Sequence, residues 1–99
     1  MPGILVQAGA VQWVFHDAFT VGRPEHHADV ALMDNYVSNR HARFLPEDGE
    51  WFVEDLGSTN GTWLRASALN GGLRLRGRVR ITQGDKVIVG RTTLILVPL

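Results

Sequence analysis

Residues 53–64 read Val53-Glu54-Asp55-Leu56-Gly57-Ser58-Thr59-Asn60-Gly61-Thr62-Trp63-Leu64. Apolar, β-compatible flanks enclose an unbroken run of small and polar residues from Gly57 to Thr62. Asn and Gly accept positive φ where other residues resist it. The stretch therefore predicts a strand, an exposed connection and a return strand. A long run of short side chains also lets the backbone lie close to whatever it faces.

The same rhythm extends in both directions. Short β-rich runs, each closed by turn residues about every ten positions, fit a sandwich or barrel, and no segment carries a helical period. Strands are expected at 4–7, 11–16, 18–22, 30–32, 41–45, 51–55, 62–64, 78–82, 86–89 and 93–97. Turns are expected at Pro46-Glu47-Asp48-Gly49, Asn70-Gly71-Gly72 and Gln83-Gly84-Asp85. Polar and apolar residues interleave in Arg74-Leu75-Arg76 and Arg78-Val79-Arg80-Ile81, which reads as half-buried strand with arginines on the solvated side. The prediction is one all-β domain built from two packed, mainly antiparallel sheets.

Bulk properties narrow the function classes. At 99 residues and 44% apolar content the chain is long enough for a single domain with a real core. With no cysteine, disulfide and thiolate-metal chemistry are closed to it. No apolar run approaches the ~20 residues of a membrane helix. The start, MPGILVQAGAVQWVF, does not resemble a secretory signal, so Asn60-Gly61-Thr62 is read as a chance glycosylation pattern and the expected location is intracellular, cytoplasmic or, in a eukaryote, nuclear. A formal net charge of zero gives no whole-molecule attraction to nucleic acid or anionic membrane. The charges are segregated, however. Nine of the ten acids lie at or before Asp55, whereas seven of the ten bases follow it, and every base except Lys86 is an arginine.

Three connections combine a cation or hydroxyl with a flexible backbone: Thr20-Val21-Gly22-Arg23-Pro24, Asn35-Tyr36-Val37-Ser38-Asn39-Arg40-His41 and the Gly57–Thr62 run. Singly they read as a surface arginine, a turn-forming serine, a core histidine and a turn. Together they resemble the signature of the forkhead-associated (FHA) domain. Gly22-Arg23 matches its Gly-Arg, Ser38-Asn39-Arg40-His41 its Ser-x-x-His, and Leu56 to Thr62 its Asn-Gly turn. Gly84-Asp85 with Val87-Ile88-Val89-Gly90 is similar to its closing hairpin. The resemblance spans about residues 11–97, so the whole chain, 1–99, is expected to be one FHA domain carried in a larger protein.

That resemblance implies an eleven-stranded sandwich of the FHA/SMAD type whose loops bind a phosphothreonine peptide, serving serine/threonine kinase signalling. The partner would be a kinase or its substrate, with no cofactor, metal or catalysis. By the family's pattern Arg23 and Ser38 contact the phosphate, helped by Asn39 or Arg40 and by Thr59, while Asn60 holds the peptide backbone. Gly22, His41 and Gly61 support the site. The segments 33–37 and 64–73 would set sequence preference. After Leu64 the expected short hairpin is replaced by Arg65-Ala66-Ser67-Ala68-Leu69-Asn70-Gly71-Gly72 and an arginine-rich strand. That side of the rim suits acidic ligand residues.

Rival readings attach to other residues. Catalysis would need His26, His27 and Asp29 as metal ligands, or Ser38, His41 and Asp55 as a triad. Adjacent histidines diverge on a strand, and no glycine-flanked nucleophile turn is present. Nucleic-acid binding would use Arg65, Arg74, Arg76, Arg78 and Arg80 with stacking on Trp13, Trp51 and Trp63. A third reading keeps the fold and binds a partner, or a second copy, through a sheet face without phosphate.

Overall fold

The computed structural model describes residues 3–65 and 72–99 of the chain. Eleven strands run in order: β1 (Ile4–Ala8), β2 (Val11–Phe15), β3 (Phe19–Gly22), β4 (Val30–Ala31), β5 (Arg40–Glu47), β6 (Glu50–Asp55), β7 (Thr62–Arg65), β8 (Leu73–Arg74), β9 (Val79–Ile81), β10 (Lys86–Val89) and β11 (Thr92–Pro98). A 3-10 turn, Pro24–His26, follows β3. The strands form a six-stranded sheet, β2-β1-β11-β10-β7-β8, and a five-stranded sheet, β4-β3-β5-β6-β9. Among the described residues only β3–β4 is parallel; the other ladders are antiparallel.

Alternation decides which face is inside. Ile4 and Val6 of β1, Leu94 and Leu96 of β11, and Val87 and Val89 of β10 are buried from one sheet. Phe19 and Val21 of β3, Ala42 and Phe44 of β5, and Trp51 and Val53 of β6 meet them from the other. Burying a Val, Leu, Ile or Phe side chain contributes about 1.5–3 kcal/mol, so this shared layer is the main source of cohesion. Phe15, Phe19 and Phe44 stack successively at 4.1 and 4.7 Å, with Trp51 tilted against Phe19 at 5.8 Å.

Strand positions agree with the sequence reading to within one or two residues, apart from three local differences. Pro46 and Glu47 belong to β5, and the hairpin turn is Asp48-Gly49 alone, with φ of 52° and 79°. Two positive-φ residues make the tight connection whose twist matches antiparallel strands. Pro46 fits in the strand because β3 has already ended alongside β5, at Phe44, and asks for no N–H there. Second, the arginine-rich stretch is not one strand: β8 joins the six-stranded sheet and β9 the five-stranded one. Third, the turn expected at Asn70-Gly71 lies outside the described residues.

That division disposes of a continuous cationic face. Arg78, just before β9, and Arg80 on it pair with Glu47 and Glu50, and Arg43 with Glu54 at 3.5 Å, across the outer face of the five-stranded sheet. Trp51, proposed for base stacking, is 1% exposed in the core.

Candidate functional site

Antiparallel pairing brings the end of β3, the start of β5, the end of β6 and the start of β7 to one end of the sandwich. The connections holding Arg23, Ser38 and Thr59–Gly61 therefore meet. Arg23, Asn35, Val37, Ser38, Asn39, Arg40, Gly57 and Thr59 line an open depression of about 520 Å³. Five of the six phosphate- and peptide-contact residues expected from sequence are in it. The sixth, Asn60, follows Thr59 and donates an Nδ2–H to the Tyr36 carbonyl at 3.0 Å.

His41 is the post on which this arrangement stands. Opposite β3 the register slips between Val21 and Gly22, where Gly22 pairs with Arg40 and leaves His41 as an extra residue. A bulge re-aims a side chain. Here it turns His41 inward beside Ala42, and both are fully buried. The Ser38 backbone N–H donates to His41 Nδ1 at 3.0 Å, so the proton of the neutral ring sits on Nε2, which donates to the Gly61 carbonyl at 2.8 Å. One ring thus joins the second and third connections. Gly22 has an equally concrete reason. A Cβ there would overlap the Asn39 carbonyl oxygen, which accepts the Arg23 N–H at 3.1 Å.

The loop from Gly57 to Gly61 is shaped by Asp55. Its carboxylate accepts from the backbone N–H groups of Gly57 and Ser58 at 2.9 Å each, from Ser58 Oγ at 2.5 Å and from Thr62 Oγ1 at 2.7 Å. Partial burial disfavours the charge, but these four donors outweigh it and hold the carboxyl below the usual Asp range. Gly57 and Gly61 take φ of 79° and 82°, open to glycine at no steric cost. Thr59 N–H then donates to Ser38 Oγ at 3.0 Å, which occupies a lone pair and leaves the serine hydroxyl hydrogen to point elsewhere.

Arg23 supplies the charge. Its side chain is 19% exposed; Nε lies 3.5 Å from Glu25, and Nη1 is buried with no partner. Among the described residues only one other buried side-chain nitrogen, Trp51 Nε1 in the core, shares that condition. Arg40 adds a second guanidinium, which makes no ion pair among the described residues. The depression is therefore a place where cationic and neutral donors converge on a group that can accept them.

Neither catalytic alternative is assembled. His41 Nδ1 takes the Ser38 backbone N–H, not its hydroxyl, and its Nε2 is bonded to the Gly61 carbonyl rather than to Asp55. Asp29 receives the backbone and hydroxyl donors of Thr20, and His26 and His27 lie on the 3-10 turn and its end.

Some supports were not foreseen. Asp55 could have been found, since an acid two residues before a Gly-Ser step is an Asx-turn signal. Asp34 could not. Its carboxylate takes the N–H of Tyr36 two residues on and, across more than fifty residues, the N–H of Arg91 and the Thr92 hydroxyl, at 2.7–2.8 Å. The Arg91 guanidinium lies 4.2 Å from the Tyr36 ring centroid and donates to its hydroxyl, which fixes the loop that carries the Asn60 contact.

The sequence matches the FHA domain family over residues 19–90. It is 40% identical to the FHA domain-containing protein FhaB of Mycolicibacterium smegmatis over 78 residues, 79% of this chain and 46% of that protein. The chain thus spans about half the length of the curated relative it matches. The FHA domain of the CT664 protein from Chlamydia trachomatis superposes with a TM-score of 0.83 at 24% identity, covering 96% of each chain. Mycobacterium tuberculosis EmbR, solved in complex with a low-affinity phosphopeptide, superposes with a TM-score of 0.82 at 20% identity over 96% of this chain and 24% of that one.

Proposed function

We propose that this chain, which belongs to the FHA domain family, is a phosphothreonine-peptide-binding module whose site is the depression between Arg23, Ser38 and Thr59. The observation that carries this reading is that Arg23, whose Nη1 is buried without a partner, lines the same depression as Ser38. A charged donor held away from water without an acceptor costs free energy, and a phosphate supplies three acceptor oxygens and about −1.5 to −2 charges. Arg23 and Ser38 take the phosphate, with Arg40, Asn39 and Thr59 around it. Asn60 keeps Oδ1 and one N–H beyond its bond to Tyr36, the acceptor and donor that reading an extended peptide backbone requires. Gly22, His41 and Gly61 hold these groups in register.

In this reading the module serves serine/threonine kinase signalling within a longer intracellular protein, and the partner is a kinase or a kinase substrate. It has no catalytic role. Among the described residues no helix is long and apolar enough to cross a membrane.

The test is an oriented phosphothreonine peptide library probed beside its unphosphorylated twin. Retention of phosphorylated members alone supports the reading. Equal retention of both overturns it.

A second reading rests on the outer face of the six-stranded sheet, where Val14, Ile95 and Trp63 are 52%, 39% and 38% exposed on the same side. Such a face suits a phosphate-independent partner. Partner capture that survives phosphatase treatment would favour it.

A further inference from the structure

One arginine at this end of the molecule has no assigned task. Arg74 lies on β8, the edge of the six-stranded sheet, and is exposed. Its guanidinium rests on the backbone of Gly61: a Cβ at residue 61 would stand 2.5 Å from Arg74 Nε and 2.9 Å from Cζ. Gly61 directly follows Asn60. Trp63, the cross-strand partner of Arg74, donates its indole N–H to the Asn60 carbonyl at 3.2 Å. Asn60 is therefore fixed through its side chain to Tyr36 and through its carbonyl to Trp63, with a guanidinium beside the next residue.

That guanidinium has no carboxylate of its own. Residues 56–84 contain neither Asp nor Glu. Glu47, Glu50 and Glu54 are engaged by Arg78, Arg80 and Arg43 on the other sheet, and Asp55 and Asp34 are surrounded by hydroxyl and backbone donors. Among the described residues Arg74 makes no ion pair. The atoms that cover Gly61 are Nε, Cζ and Nη2 of the guanidinium itself, so the charge stands beside the residue that follows Asn60 with no carboxylate bound to it among the described residues.

Resting on the phosphothreonine reading above, we propose that Arg74 is a second anion contact, which takes the carboxylate of an Asp or Glu in the bound peptide near the phosphothreonine. An extended peptide advances about 3.3 Å per residue with alternate side chains on opposite faces. A peptide whose backbone is held by Asn60 thus presents one nearby side chain to Arg74. The guanidinium matches a carboxylate with two parallel N–H donors. The ligand class is narrowed from phosphothreonine peptides to those with an acid at one fixed offset.

The experiment uses a phosphothreonine peptide scanned with Asp, with Asn and with Lys at each flanking position, and titrated against the wild-type protein, R74Q and R74E. The wild type is expected to prefer Asp over Asn at one offset by about threefold to tenfold, the range of a partly exposed ion pair or slightly above. R74Q should lose that preference yet bind the Asn peptide like the wild type, and R74E should favour Lys at the same offset. A wild-type protein with no such offset, or a preference unchanged in R74Q, overturns the proposal while leaving phosphothreonine recognition intact. Equal binding of phosphorylated and unphosphorylated peptides overturns both.

Discussion

Ser38 does two things with one oxygen. It accepts the Thr59 N–H, and its own hydrogen is free to donate to a phosphate oxygen. Ser38→Ala removes both, and its expected cost in phosphopeptide affinity is about 1–3 kcal/mol by calorimetry, with little change in melting temperature because the loop is also held by His41. His41→Ala is predicted to behave in the opposite way. It empties a buried volume and strands the Ser38 N–H and the Gly61 carbonyl, so a loss of about 2–4 kcal/mol is expected. At ~4–8 °C per kcal/mol for a domain of this size, thermal denaturation should register a fall of roughly 10 °C or more. A His41→Ala protein as stable as the wild type would remove the ring from its bridging role. At this scale the sequence was informative. Each of Arg23, Ser38, Asn39, Arg40 and Thr59 lines the depression, because the motif spacings encode which connection each residue belongs to. What sequence could not convey is how the pieces are tied. The tautomer of His41 and the grip of Asp34 on Arg91 depend on strands that meet only after folding.

Among the elements, the β6–β7 connection is the one whose shape depends most on a single charge. Asp55 is ionised against its burial by four donors, and its folded pKa lies below the unfolded value of about 3.9. The stabilisation it gives is present in full above that value and is lost as pH falls through the lower folded pKa. Asp55→Asn is expected to lower stability at neutral pH by about 1–3 kcal/mol and to flatten the acid limb. Scanning calorimetry between pH 2 and pH 7 should show the two proteins converging at the acid end; parallel curves would assign the effect elsewhere. Strand positions were legible because short β-rich runs are set apart by turn residues, and because residues facing the core alternate with outward ones in β6, β10 and β11. The arginine-rich stretch was misread because β8 and β9 share that same alternation while joining different sheets. Local pattern reports a strand's inner face and says nothing of its partner.

For the whole molecule, zero net charge conceals a division of labour. One outer sheet face neutralises its arginines with glutamates, whereas Arg23, Arg40 and Arg74 stand near the loop end with Glu25 as the acid paired to one of them. A site of this kind should bind the dianionic phosphate best. The second phosphate pKa is about 6, so affinity is expected to fall as pH is lowered through that value, and calorimetry from pH 5 to pH 8 reads it directly. Constant affinity across that range would mean that phosphate charge is not what is recognised. The most direct measurement of the central claim is calorimetric titration of Arg23→Ala with a phosphothreonine peptide selected by the wild-type protein. Loss of a charge-assisted bond to a partly desolvated phosphate predicts a penalty of about 2–5 kcal/mol, or roughly 30- to several-thousand-fold, in a protein that remains folded. A folded Arg23→Ala protein that binds the phosphopeptide as tightly as the wild type would contradict it.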